Sequence, residues 1–270
     1  SLDGQRLPAA VRLVLAPGAK LRIRAGGDGA WCYLAVGGRI DVAPMLGSNA
    51  THTRSSLGGI DGRALIAGDV LPVRDAGARE PGAAALAAPW LEKSDDPIRV
   101  ILGPQDDYFS RAQIKAFCGE LWTISNRSDR MAYFLDGASI SPENGLNIVS
   151  DGIVMGAIQV LGDGRPMVLM ADRQVTGGYP KIATVITPDL RLVANRRPGE
   201  SVSFAAIAIE AAHQVLFDWR RRLAAVPGGL RPARGGTGWE GGLALHNLAG
   251  GAVSAVDPAT WEPIERAIET

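Results

Sequence analysis

The sequence predicts a mainly β protein, and three observations carry that prediction. Strand-length runs of β-favouring residues are broken repeatedly by glycine, with no helical periodicity through most of the chain. Glycine and proline number 34 and 17 in 270 residues, against average usage of about 7% and 5%, as many tight turns between short strands require. The dipeptide Asp163-Gly164 lies between two β-favouring runs, a strong short-range hairpin signal because its second residue accepts a positive φ.

The first predicted strands fall between residues 11 and 73, in VRLVLAPGAKLRIRAGG, WCYLAVGGRIDV and RALIAGDVLPV. Residues 76–88 are rich in alanine, glycine and proline, and KSDDP at 93–97 is charged and closes on a proline, which marks a boundary near residue 95. A second part opens with IRVILGP. Within it, residues 150–186 predict a β-meander: two runs joined at Asp163-Gly164, the turn TGGYP, and a third run KIATVI. Near the end, Ile209, Ala212, Leu216, Trp219 and Leu223 recur at helical spacing, and the basic Arg220, Arg221 and Arg222 suit a helix C-terminus. The stretch VPGGLRPARGGTGWEGG that follows reads as a glycine-rich loop.

Composition narrows the function. Lys plus Arg and Asp plus Glu both total 28, so no net field draws the chain to nucleic acid or to an anionic membrane. No apolar run reaches the roughly 18 residues of a membrane span. The two cysteines, Cys32 and Cys118, form no C-x-x-C pattern, which points to a reducing cytoplasm. His52, His213 and His246 are scattered, so no metal site is expected. No phosphate loop and no nucleophile elbow occur, which leaves acid–base or electrostatic roles for charged side chains.

An even-numbered loop at Asp163-Gly164 would oppose Gln159 to Val168 and Met155 to Asp172. One face would then hold Ile153, Met155, Ala157, Gln159, Val168, Met170, Asp172 and Gln174, and the buried face Val154, Ile158, Leu169 and Ala171. Asp172 and Gln174, two apart, would lie roughly 7 Å apart and Gln159 about 13 Å further along. Such a face is either a solvated wall, where an Asp and a Gln need no purpose, or a small polar site on an apolar wall. Lys181, just past TGGYP, is likewise either a solvated strand-end lysine or a functional group at a glycine-flanked turn. Asp106-Asp107 in GPQDDYF reads as a turn after Gly-Pro, and Ser128, Asp129 and Arg130 as a loop held by its own side chains.

Several motifs together carry a resemblance: GPQDDYFS (103–110), WTISNRSDRM (122–131), SDGI (150–153), GAIQV-x-GDG (156–164), ADRQ-x-TGGYPKIATVI (171–186) and, in the first part, GSNATHTRSSLGGIDGRAL (47–65). They resemble the family of the 5-oxoprolinase C component, also called allophanate hydrolase subunit 2 or the carboxyltransferase domain of urea carboxylase. The resemblance implies two cyclophilin-like β-barrel subdomains, at 1–95 and 96–225, with a glycine-rich loop and extension at 226–270. It implies one part of an ATP-dependent hydrolase that opens 5-oxoproline to glutamate with the A and B components of the same complex, ATP acting at the level of the complex. Its alternatives are a biotin-dependent carboxyltransferase or a protein of allophanate and urea metabolism, and a non-catalytic protein that antagonises a kinase inhibitor.

Carried over by motif position, Asp172 and Lys181 are the expected catalytic residues, Asp172 as base or orienter and Lys181 against developing negative charge. Asp151, Gln159, Gln174, Thr176, Gly177, Gly178 and Tyr179 are the expected substrate-binding residues. Leu161, Val175 and Phe134 depart from the family's usual proline, threonine and arginine. The family also carries an N-terminal stretch with a TTVQD-like motif before the equivalent of Ser1, so the first barrel is expected to lack strands.

Overall fold

The computed structural model describes residues 1–4, 7, 10–24, 29–75, 82–87 and 93–232. The chain forms two compact units, Cys32–Pro81 and the remainder. In the smaller unit a short hairpin pairs Arg39 with Arg74 and Ile40 with Val73. Its loop is tied by Asp69, which accepts from both terminal nitrogens of Arg63 and from the Ile66 N–H.

The larger unit is built on an eight-stranded sheet: β1 (Ile98–Leu102), β2 (Trp122–Ile124), β3 (Ala132–Asp136), β4 (Ala157–Val160), β5 (Pro166–Leu169), β6 (Lys181–Val185), β7 (Ser201–Val202) and β8 (Phe204–Ala206). The order is β7-β2-β3-β5-β4-β6-β1-β8. Its two outermost strands are consecutive in sequence, separated only by Ser203. One stretch therefore pairs antiparallel with β2 on one side and parallel with β1 on the other, and the Ser203 carbonyl accepts from the Ile98 N–H at 2.8 Å. This draws the sheet's two edges together into a nearly closed barrel, which removes the exposed edges an open sheet would present.

The barrel's core holds Ile98, Val100, Trp122, Ile124, Leu135, Ile158, Val160, Val168, Ile182 and Phe204. Helix α1 (Arg111–Gly119) starts at a capping box between Ser110 and Gln113, as S-x-x-Q encodes. It places Phe117 against Phe204, ring centroids 4.9 Å apart. Trp122 donates from its indole to the Phe117 carbonyl. A Cβ at Gly137 would stand 2.7 Å from the Trp122 ring, so glycine is required there. After the short helix α2 (Leu190–Ala194), helix α3 spans Ile209–Gly229.

Four sequence expectations are corrected. Met167 opposes Gln159 and Val168 opposes Ile158, one position away from the even-loop register. The Leu161 N–H donates to the Arg165 carbonyl, and Gly164 sits at φ +78°, giving an odd, three-residue loop with glycine in the left-handed position. Both faces of β4 and β5 are buried throughout, whereas Val154 is 58% exposed and Ala171 is also exposed. The third run does not continue a meander: β6 pairs with β4 rather than β5. Helix α3 continues past Arg222 and through Pro227 to Gly229, so the basic triplet is not its end. Leu230–Pro232 then joins a three-stranded sheet with Ala84–Leu86 and Val11–Arg12. The remainder of the expected glycine-rich loop and extension, 233–270, lies outside the described residues.

Candidate functional site

The corrected register places a row of opposed residues across four strands: Phe134 with Met167, Met167 with Gln159, and Gln159 with Lys181. Opposed residues share a face, and this one lies opposite the barrel core. There Ala132, Ala157, Met167 and Leu169 pack with Ile153 as a second apolar cluster. The polar end of the row, Gln159 and Lys181, is covered by a two-stranded ribbon in which Asp151 opposes Gly177 and Gly152 opposes Thr176. The ribbon is extended by bonds from the Ile153 N–H to the Val175 carbonyl and from the Ile148 N–H to the Gly178 carbonyl. A Cβ at Gly177 would stand 2.5 Å from Ile153 Cδ1 and 3.0 Å from Gln159 Nε2. A Cβ there would push aside the ends of both side chains, so glycine lets the ribbon lie directly over them.

Lys181 is 2% exposed. An ammonium so deeply buried requires a partner. It donates to Asp151 Oδ2 at 2.6 Å and to the Gly152 carbonyl at 3.2 Å. Asp151 Oδ1 accepts from the Gly152 N–H at 2.7 Å, and Oδ2 also accepts from Gln105 Nε2 at 3.4 Å. The hydrogen bond from Lys181 first, then that from Gly152, holds the Asp151 carboxyl below its ordinary range. Half of the Asp151 side chain remains exposed, so the pair has one solvent-facing side.

Gln159 is fully buried. Its Nε2 donates to the Tyr179 carbonyl at 3.2 Å, while its Oε1 has no hydrogen-bond partner. Leaving a buried acceptor unmade costs about 1–3 kcal/mol, and such exceptions call for a reason. An acceptor for a ligand N–H supplies one. An ammonium and an unsatisfied amide oxygen on neighbouring strands suit a group that carries N–H and C=O side by side: the oxygen takes the N–H, and the cation stabilises charge developing on the carbonyl.

The other expected residues take different places. Asp172 lies beyond the end of β5, where the two-residue strand spacing to Gln174 does not apply, and both of its oxygens are engaged by Arg130, at 3.0 and 3.1 Å. The Gln174 amide nitrogen approaches Gly177, 3.6 Å from the position a Cβ would take. Thr176 is an exposed ribbon residue, and Tyr179 contributes its carbonyl. Phe134 carries Arg127 above its ring, 4.8 Å from the centroid, so a guanidinium stands near the position where the family has an arginine. Asp106 and Asp107 form a 3-10 turn, in keeping with the Gly-Pro before them. In the sequence Gln105 belongs to that turn and to the motif GPQDDYFS, and nothing there marks it as touching Lys181 and Asp151. Among the described residues, no three His, Cys, Asp or Glu side chains gather as metal ligands, and no helix is long and apolar enough to cross a membrane.

Residues 1–206 match the family model described as carboxyltransferase domain, subdomain A and B. The C component of 5-oxoprolinase from Escherichia coli is 35% identical over 224 residues, covering 82% of this chain and 70% of that protein. Urea amidolyase of Lachancea kluyveri is 32% identical over 212 residues, covering 69% of this chain but 11% of that much longer protein. The crystal structure of Kluyveromyces lactis urea carboxylase superposes with a TM-score of 0.61 over 73% of this chain and 20% of that one, at 24% identity, a likeness of fold.

Proposed function

The chain belongs to the carboxyltransferase subdomain A and B family, and from that premise we propose that it is the C component of a cytoplasmic 5-oxoprolinase, opening 5-oxoproline to glutamate together with the A and B components. The observation that carries the reading is that buried Lys181 stands opposite buried Gln159 on the neighbouring strand, and that Gln159 Oε1 is left without a hydrogen-bond partner. A five-membered lactam fixes its N–H and C=O on one side of the ring. Gln159 Oε1 would accept the N–H, and Lys181 would face the carbonyl oxygen as it gains charge. Gly177, Gly178 and Tyr179 form the wall, with Gln174 and Thr176 at its rim. Asp172, held through both oxygens by Arg130, would orient rather than abstract.

ATP does not fit this position. A triphosphate carries several negative charges, and Lys181, shared with the half-exposed Asp151 carboxylate at 2.6 Å, would meet a partial charge developing on one oxygen but not a polyanion. The phosphate chemistry is therefore assigned to the complex, and no step here passes through it. A second reading rests on the family's carboxyltransferase description and the urea amidolyase likeness. The ureido ring of biotin presents the same N–H and C=O, so Gln159 and Lys181 would hold it in the same way; bound as its N-carboxylated form, it would supply the carboxyl group for transfer and leave as biotin.

The experiment combines the purified components. Hydrolysis of ATP that depends on 5-oxoproline and on this chain supports the lactamase; carboxylation of urea that depends on biotin supports the second reading. Neither activity, with a partner protein inhibited, would make the chain a regulator and overturn both.

A further inference from the structure

Gln105 lies within the family motif GPQDDYFS, and its contacts give it a place in the site. It stands in the turn after β1, where the ladder between β1 and β6 gives out. Cα pairing of β6 with β1 runs from Val185 to Ala183, and on the other side of β6 a register shift in its ladder with β4 falls between Ala183 and Lys181. Beyond it, Gln105 takes over both main-chain groups of Lys181. Its N–H donates to the Lys181 carbonyl at 3.1 Å, and its Oε1 accepts from the Lys181 N–H at 3.2 Å. The other end of the same amide, Nε2, reaches Asp151 Oδ2 at 3.4 Å, the oxygen that also accepts the Lys181 ammonium.

We propose that Gln105 is a positioning residue of this site: its side-chain amide joins the main chain of Lys181 to the carboxylate of Asp151 and so sets the geometry of the ammonium–carboxylate pair. The inference rests on the reading of Lys181 and Asp151 as functional. The residue type follows from the two partners. A backbone N–H needs an acceptor and a carboxylate needs a donor, and an amide offers both from one planar group. Glutamate would offer acceptors only, lysine and arginine donors only. Lys181 supplies the charge acting on Asp151, with the Gly152 N–H and Gln105 as neutral donors.

The test measures kcat and KM against pH in the reconstituted complex for native chain, Gln105→Glu and Asp151→Asn, with thermal unfolding of each. Gln105→Glu keeps the acceptor for the Lys181 N–H and replaces the donor to Asp151 by a like charge. The acid limb of kcat/KM is expected to rise by on the order of one pH unit, with kcat down about tenfold and unfolding little changed. An unmoved acid limb, whatever happens to the unfolding temperature, overturns the proposal. Asp151→Asn with native kcat and pH profile would remove the functional reading itself, a separate failure. A readout independent of turnover covers a poorly folding glutamate variant: in the full chain, the carboxyl carbon of Asp151 is expected to titrate higher in Gln105→Ala than in the native protein. Identical titration contradicts the proposal.

Discussion

At the scale of single residues, the site is a set of exceptions to burial rules. A lysine and a glutamine are as hidden as the core around them, and the glutamine leaves its oxygen unmade. Gln159→Leu should separate function from stability. It removes the orphan acceptor, worth about 1–3 kcal/mol in the variant's favour, and it loses the hydrogen bond to the Tyr179 carbonyl, which costs a similar amount. Unfolding free energy should therefore change by less than about 1 kcal/mol while substrate affinity falls at least tenfold. Calorimetry and substrate titration measure the two; native affinity in a stable variant would show that Gln159 holds nothing. Neither the burial of Lys181 nor its partner was legible from the sequence, because an isolated lysine after a glycine turn has the same local signal whether it is covered or solvated. Asp151 is contiguous with SDGI, and only the ribbon pairing brings it over Lys181.

At the scale of elements, the stretch that draws the barrel's edges together is anchored by Glu200, which accepts from Lys93 at 2.7 Å and from Arg197 at 2.9 Å. Burial pulls its carboxyl upward, but hydrogen bonds from Lys93 and Arg197 outweigh that and bring it to about 2. A carboxylate lowered from about 4.3 in the unfolded chain stabilises the fold above that value and loses its contribution as pH falls toward the folded value. Glu200→Gln should cost about 2 kcal/mol at neutral pH, and the difference from the native chain should vanish between about pH 4 and 2. Urea unfolding across that range measures it; a pH-independent difference would refute the assignment. Element type was readable from β-favouring runs and from the S-x-x-Q cap. Register was not, because one residue of loop length reverses every face, and Asp163-Gly164 is common to two-residue and three-residue loops. Strand order escaped as well: the ribbon carries the chain back across β4, and no short-range pattern records that return.

At the scale of the whole molecule, the barrel supplies a rigid wall and the ribbon a cover, and the site lies where buried polar groups interrupt that wall. The mainly β class and the family were both legible, the latter because its motifs are contiguous in sequence. The smaller unit, Cys32–Pro81, shows strands of two residues, too short for periodicity to reveal. Everything proposed for the site depends on Lys181 acting on substrate rather than only supporting the fold. The decisive measurement is 5-oxoproline-dependent ATP hydrolysis by the assembled complex carrying Lys181→Met, a substitution of similar length that leaves no unpaired buried charge. If Lys181 acts on substrate, the chain folds and assembles but turns over at least about a hundredfold more slowly; a folded, assembled variant with native turnover would contradict that role.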